Sequence, residues 1–184
     1  MQVTEYVFIF VSFILALAVG EVVQGMGRIL KPQSDFKVDA LFLIWLFFLF
    51  VNMLSFWYAS WSWQGIQSWS YIAMMGPISA VILLYLLANI SFSIDPSIDG
   101  PSIYMRLSSR LWTLYFIFLI VAWLAWRVAG MLDFELRLKD VDHGIAIVIS
   151  LVLARSKREW VHWTGLGYLL LYGAIESLLF PMLM

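Results

Sequence analysis

The sequence contains no cysteine among its 184 residues. This absence excludes disulfide bonds, thiol catalysis, iron–sulfur clusters and cysteine-ligated zinc sites. Charge is scarce as well, because Asp, Glu, Lys and Arg together make up 12% of the chain, whereas a soluble domain carries about 25%. Hydrophobic residues account for 63%, which is too much apolar surface for a soluble fold to hide from water. The composition therefore indicates an integral membrane protein.

Several functional motifs are also missing. The net charge is −1, whereas a protein that binds nucleic acid needs a basic patch or stripe. The chain has no Gly-rich phosphate loop, no serine-nucleophile motif and no HExxH motif. We therefore expect no enzyme activity, no cofactor, no bound metal and no nucleic-acid partner.

Apolar runs divide the chain into six segments. A membrane-spanning helix needs about 20 largely apolar residues, and the runs predict an all-α fold, a polytopic membrane helix bundle that forms one domain over residues 1–184. The predicted transmembrane helices are residues 5–30, 39–63, 69–92, 108–132, 141–154 and 160–183. We expect the first to be a span and not a cleaved signal peptide, because residues 1–5 contain no Lys or Arg and the apolar run is too long.

Basic residues are distributed unevenly among the connections between these spans. The first, third and fifth connections hold eight Lys and Arg residues and the second and fourth hold two, with Arg127 assigned to its helix. The eight are Arg28, Lys31, Lys37, Arg106, Arg110, Arg155, Lys157 and Arg158. Since cytoplasmic connections are enriched in Lys and Arg, the pattern places the odd connections in the cytoplasm and both chain termini outside.

The fifth predicted span is short. Its apolar run from Gly144 to Ala154 has eleven residues, enough for about half a bilayer at about 1.5 Å per residue. Three interpretations are open. The membrane thins locally, or Asp140, Asp142 and His143 are drawn below the outer surface into protein or water, or the helix is tilted and ends in an ordinary solvated loop.

Three ionisable residues, Glu21, Arg127 and Glu176, fall well inside predicted spans, where a charge costs about 3 kcal/mol on insertion scales. Arg127 lies 17 residues after Arg110, and Glu176 lies 16 residues after Trp160. Both therefore belong to the outer leaflet at similar depth, and we predict an intramembrane ion pair between Arg127 and Glu176, within one subunit or between two. The pair would serve helix packing or function, and the alternative is that Arg127 extends to the outer headgroups.

Two predicted helices have a face that carries polar residues. In the last span this face consists of His162, Gly165, Leu169, Tyr172 and Glu176, which recur at spacings of three and four. In the first span Glu21, Gln24, Gly25 and Arg28 share one face, and Glu21 lies about 10 Å deeper than Arg28. Glu21 either pairs with Arg28 through Gln24 or is a functional carboxyl whose charge is disfavoured by burial.

Two classes of function fit these residues. In the first, the protein is a homo-oligomeric channel or transporter that moves protons or small ions along a discontinuous polar route. The candidate route consists of Glu21, Gln24, Asn52, Asn89, Arg127, His143, His162 and Glu176. In the second, it is a non-catalytic scaffold or an accessory subunit whose buried charges fix helix packing or a membrane protein partner. The predicted topology puts His143 outside and His162 inside, so one subunit offers no paired-histidine haem or metal site.

The opening helix runs from Glu5-Tyr6 through Gly20-Glu21 to Gly27-Arg28-Ile29-Leu30, and a basic segment from Arg155 to Trp160 precedes the last span. In these features the chain resembles small multispanning bacterial inner-membrane proteins of uncharacterised function. The resemblance implies a multi-pass location in a prokaryotic inner membrane. It implies no activity and no site residues.

Overall fold

The fold is a bundle of α-helices. A computed structural model describes residues 3–29, 39–61, 63, 66, 69–93, 102–129 and 138–179, with only the backbone described at residues 129, 138–139 and 175–179. The helices are α1 (Val3–Ile29), α2 (Ala40–Ser60), α3 (Tyr71–Ser91), α4 (Ile103–Ala129), α5 (Leu138–Arg155) and α6 (Glu159–Leu179). The predicted all-α fold is confirmed, and each predicted span corresponds to one helix. Among the described residues, α1, α2, α3 and α4 are long and apolar enough to cross a membrane.

Side-chain caps fix where several helices begin. The Asp39 carboxylate accepts a hydrogen bond from the backbone N–H of Phe42 at 2.7 Å at the start of α2. The Ser70 hydroxyl accepts the equivalent bond at the start of α3. Ser102 does the same for Met105 at 3.1 Å, so α4 begins at Ile103. These bonds satisfy N–H groups that the first turn of a helix leaves without intrahelical partners.

The first three helices alternate in direction. Trp69, just before α3, donates its indole N–H to the Thr4 hydroxyl at 2.9 Å, so α1 and α3 begin at the same end of the bundle. At the other end of the bundle, the indole of Trp45 donates to the Ser91 hydroxyl at 3.0 Å, which places the start of α2 beside the end of α3. The Phe8 and Trp61 rings lie 5.5 Å apart, so α2 ends where α1 begins.

The last three helices continue this alternation. Gly76 near the start of α3 contacts Ala125 near the end of α4. Arg127 at the end of α4 forms an ion pair with Asp140 at the start of α5. After the turn at residues 156–158, α6 runs back beside α5, and the α5·α6 and α2·α6 contacts hold it in the bundle.

The alternation divides the bundle into two chemically different ends. One end, here called the basic end, is formed by the ends of α1, α3 and α5 and the starts of α2, α4 and α6. The cations described there are Arg28, Arg106, Arg110, Arg155, Lys157 and Arg158. At the opposite end, Arg127 is the one cation whose side chain is described. Tryptophan is concentrated at the opposite end, with Trp57, Trp61, Trp63, Trp69, Trp123 and Trp126.

Aromatic rings fill the middle of the bundle between α2 and α4. Trp45 and Trp112 are fully buried, and their ring centroids lie 5.2 Å apart at an edge-to-face angle. Phe48 and Tyr115 are also 5.2 Å apart and contact the same pair. Edge-to-face packing of this kind stabilises aromatic clusters beyond the area they bury. The space between these two helices is therefore closed by side chains.

Candidate functional site

An ion-pair cluster joins the end of α4 to the start of α5. The Arg127 guanidinium bonds to one Asp140 carboxylate oxygen, and the indole N–H of Trp123 donates to the other at 2.9 Å. The Arg127 guanidinium carbon also lies 5.5 Å from the centre of the Trp123 ring, a cation–π distance. The side chains of Arg127 and Asp140 are 9% and 13% exposed, so the pair is largely withdrawn from the surface.

The position of this pair within the helices favours both charges. Arg127 is in the last turn of α4 and Asp140 is in the first turn of α5. A cation is stabilised at a helix C-terminus and an anion at a helix N-terminus, because the peptide dipoles leave partial charges of the opposite sign there. His143 adds a third link between the two helices, since its Nε2 lies 2.8 Å from the backbone oxygen of Leu119.

The predicted pair of Arg127 with Glu176 is not resolved by this geometry. The backbone of Glu176 is helical, but its side chain lies outside the described residues, and the pair stays a prediction. For the short fifth span, the contacts of Asp140 and His143 with α4 agree with the interpretation that these residues are drawn into protein.

A second buried site links α4 to α6 near the basic end. His162 is completely buried, and its Nδ1 lies 2.9 Å from the Tyr104 hydroxyl. The same hydroxyl accepts the indole N–H of Trp112 at 2.7 Å. On the other side of the imidazole, Nε2 lies 3.1 Å from the backbone oxygen of Ser156. Four polar groups from three segments are thus satisfied together.

The partners of His162 define its protonation. The Ser156 backbone oxygen can only accept, so Nε2 carries a hydrogen. The Tyr104 hydroxyl accepts from Trp112, and its own hydrogen can serve Nδ1 of His162 when the imidazole is neutral. The arrangement therefore suits a neutral imidazole whose two nitrogens are both occupied, and it ties the α5–α6 turn to α4.

A third polar contact crosses the aromatic core. The Tyr115 hydroxyl donates to the Asn52 side-chain oxygen at 2.8 Å, and the Asn52 amide donates to the backbone oxygen of Phe48 at 2.8 Å. A buried polar group without a partner costs about 1–3 kcal/mol, and these bonds remove that cost for both side chains. Asn52 is therefore held as a bridge between α2 and α4.

The polar face of α1 differs from these three sites because its side chains point outward. Glu21 is half-buried, while Gln24 and Arg28 are exposed. No ion pair joins Glu21 to Arg28, although both side chains are described. The internal pair considered from the sequence is thus not formed in the single chain. Most other outward positions of α1 are apolar, among them Phe13 and Leu17, and the acid Glu5 is exposed in the first turn.

The hydrogen bonds of Asn52, His143 and His162 go to residues outside the candidate route. Asn52 bonds to Tyr115 and Phe48, His143 to Leu119, and His162 to Tyr104 and Ser156. Asn89 is exposed in the last turn of α3. Within the described part of the chain, no three His, Asp or Glu side chains are grouped as a metal site would require.

Two partners were missed by the sequence reasoning. Tyr104 lies four residues before the predicted fourth span, so it was not considered as a partner for His162. Asp140 was placed in the connection before α5 and not matched with Arg127. The signal for Asp140 was its position at the start of a span that was too short, directly after the helix that carries Arg127.

Comparisons with protein-family models, with curated protein sequences and with solved structures gave no match to this chain.

Proposed function

We propose that the chain is a multi-pass membrane protein in which all six helices cross the bilayer, with the basic end in the cytoplasm and both chain termini outside. The alternating helix directions and the cations at one end support this arrangement. Connections that face the cytoplasm are rich in Lys and Arg because these cations resist translocation. The resemblance to small bacterial inner-membrane proteins supports a prokaryotic inner membrane as the location.

We further propose that copies of the chain associate and move protons or small ions where their α1 helices meet. The observation that carries this proposal is the outward face with Glu21, Gln24 and Arg28, which forms no ion pair with any residue that the structure describes. Glu21 lies about 10 Å deeper than Arg28 along the helix. A carboxyl at that depth is costly in hydrocarbon. A second copy of the chain, or water held between two copies, would therefore have to cover it.

The interior of one subunit is a poor location for such a route. Trp45, Phe48, Trp112 and Tyr115 close the space between α2 and α4. The interior side chains Asn52 and His162 are already bonded to neighbours. The buried atoms without a hydrogen-bond partner in the described part of the chain belong to Ser12, Trp63 and Arg106, and none of these is a candidate route residue. A route between copies avoids this packed core, and it makes the ionisable group of Glu21 its most deeply placed member on α1.

Proton flux into liposomes tests this function. The purified chain is reconstituted around a trapped pH-sensitive dye, and a potassium diffusion potential drives the flux. We expect wild-type protein to conduct and Glu21→Gln to fall to the rate of protein-free liposomes, because the amide cannot exchange a proton. Glu159→Gln is the matched control, since Glu159 is an exposed acid in the first turn of α6. Equal flux in Glu21→Gln and wild type would contradict the proposal.

The alternative is a non-catalytic scaffold or accessory subunit of a larger membrane complex. The observation in its favour is that Arg127, Asn52 and His162 all have bonded partners, as expected of groups that only fix helix packing. No flux from wild-type protein, together with lost folding or lost complex formation in Glu176→Gln, would support this second function. Flux without any effect of Glu176→Gln on assembly would oppose it.

A further inference from the structure

An apolar stripe runs along the outer face of α5. It consists of Val141, Ile145, Val148 and Val152, which are between 40% and 61% exposed. Their spacings of four, three and four keep them on one side of the helix. From Val141 to Val152 the stripe rises by eleven residue steps, about 16 Å along the helix. That is close to half of the roughly 30 Å hydrocarbon thickness, the depth of one leaflet.

The stripe leads into a shallow groove at the basic end. The groove has a volume of about 360 Å³ and is lined by Leu151, Val152, Arg155 and Ser156. Its wall is apolar where it meets the stripe and polar where α5 ends. Arg155 is exposed, so its guanidinium is available to a ligand from the bilayer side.

Two further cations follow the groove residues in the chain, and neither has an acidic partner among the described residues. Lys157 and Arg158 are exposed in the turn that follows α5. The Arg158 backbone N–H donates to the Ser156 hydroxyl at 3.2 Å, which helps to fix this turn. No ion pair with Asp or Glu involves Arg155, Lys157 or Arg158 in the described part of the chain. The turn therefore presents an uncompensated positive patch.

Two exposed tryptophans mark the depth of this patch. Trp160 and Trp163, in the first turns of α6, are 61% and 41% exposed. Exposed indoles favour the headgroup level of a bilayer, where the ring is in apolar surroundings and the N–H meets polar groups. The cations of the turn are thus at the height of lipid phosphates, and the α5 stripe is at the height of acyl chains.

We propose that this groove binds an anionic phospholipid, with the phosphate at Arg155 and Ser156 and one acyl chain along the α5 stripe. Arg matches a phosphate well because its planar guanidinium donates two parallel hydrogen bonds. Lys157 and Arg158 favour a headgroup with net negative charge over a zwitterionic one. The apolar stripe selects a lipid over a free phosphate, since a small anion would leave it unused. The location of this lipid in the cytoplasmic leaflet rests on the proposed membrane orientation, which puts the basic end in the cytoplasm.

Native mass spectrometry of the full chain in a neutral detergent tests the proposal. Phosphatidylglycerol and phosphatidylcholine with identical acyl chains are titrated in parallel, and the bound fraction of each is measured. We expect phosphatidylglycerol to bind more tightly and Arg155→Gln to weaken it about five-fold, the effect of removing one interfacial cation. Arg110→Gln is the matched control, because Arg110 is an exposed cation on α4 at the same end.

A second arm separates a lipid site from a free-anion site. Inorganic phosphate is added as competitor, and Val148→Ser removes one apolar contact from the stripe at an exposed position that the fold tolerates. We expect phosphate to compete poorly and Val148→Ser to weaken lipid binding. Equal binding of the two lipids, equal effects of Arg155→Gln and Arg110→Gln, or full displacement by phosphate would overturn the proposal. Because the measurement is made in detergent without any gradient, its outcome does not depend on ion flux.

Discussion

At the scale of single residues, the contacts of Arg127 show how this chain stabilises a charge that is largely buried. Asp140 supplies the opposite charge, Trp123 covers the guanidinium with its ring, and the ends of two helices add favourable dipoles. Desolvation opposes any buried ion pair, and the attraction offsets that cost only when the remaining hydrogen bonds are also made. The bond from Trp123 to the second carboxylate oxygen meets this condition.

Removing the carboxylate should therefore be costly. We expect Asp140→Asn to lower the free energy of unfolding by about 3 kcal/mol, because it leaves Arg127 charged and largely buried without its counterion. Unfolding in mixed detergent with increasing dodecyl sulfate, followed by circular dichroism, measures this change. Asp142→Asn is the control, since Asp142 is half-buried in the same helix without a described ion pair.

The double variant Arg127→Met/Asp140→Leu extends this test. Replacing both charges removes the desolvation cost together with the attraction, so stability should return close to that of the wild type. A double variant as unstable as Asp140→Asn alone, or an Asp142→Asn variant equally destabilised, would contradict the assignment of this pair.

The sequence predicted that Arg127 needs a partner but not that Asp140 supplies one. Counting residues along a helix gives depth, and depth pointed to Glu176 at a similar level. The contact with Asp140 depends on how the chain returns after α4, through residues 130–137, which lie outside the described residues. Hydrophobic pattern carries no information on that path.

At the scale of helices, α3 and α4 pack closely because small residues meet between them. A Cβ added at Gly76 would lie 2.8 Å from the Ala125 Cβ and 3.0 Å from its Cα. Small residues at such crossings let two backbones approach, which replaces the hydrophobic drive that is absent between helices in lipid. Pairs of this kind determine which helices become neighbours.

A single methyl group tests this close approach. We expect Gly76→Ala to destabilise the protein by about 1–3 kcal/mol, since Ala125 backbone atoms cannot move aside as a flexible side chain would. Gly167→Ala is the matched control, because nothing lies within 4 Å of a Cβ at that exposed helical position. There the lower backbone entropy of alanine should leave stability unchanged or raised by about 0.5–1 kcal/mol. Equal responses at the two sites, measured by the same unfolding assay, would refute the packing argument.

Helix positions were predictable from the sequence, and helix starts were less so. The predicted fourth span begins at residue 108, whereas α4 begins at Ile103. The prediction followed the apolar run, which Arg106 and Arg110 interrupt. The helix continues through both cations because the basic end does not require apolar residues and Ser102 caps the first turn.

At the scale of the whole molecule, charge is separated along the bundle. Six described cations lie at the basic end, and the opposite end has the Arg127–Asp140 pair and a group of tryptophans. This asymmetry was predicted from the connections, and the helix contacts support it independently of any hydropathy argument. Which helices are neighbours was not predictable, because a helix such as α2 is apolar on all sides and no face indicates a direction.

The contacts of the aromatic core could also not be predicted from the sequence. Trp45 and Trp112 are far apart in the chain, and each falls in a run where many residues are large and apolar. Their contact follows from the parallel arrangement of α2 and α4, which also brings Asn52 to Tyr115. In a membrane protein such contacts are set by shape and by hydrogen bonds, since lipid is as apolar as the side chains.

The central claim, six crossings with the basic end inside, is tested most directly by labelling single cysteines. The native chain has none, so each introduced thiol is unique. Ser70→Cys, at the opposite end, should react with an impermeant maleimide on intact cells, whereas Lys157→Cys, between α5 and α6, should react only after permeabilisation. If α5 did not cross, the turn at Lys157 would stay on the side that α4 reaches, and both cysteines would be labelled from outside. That result would contradict the account.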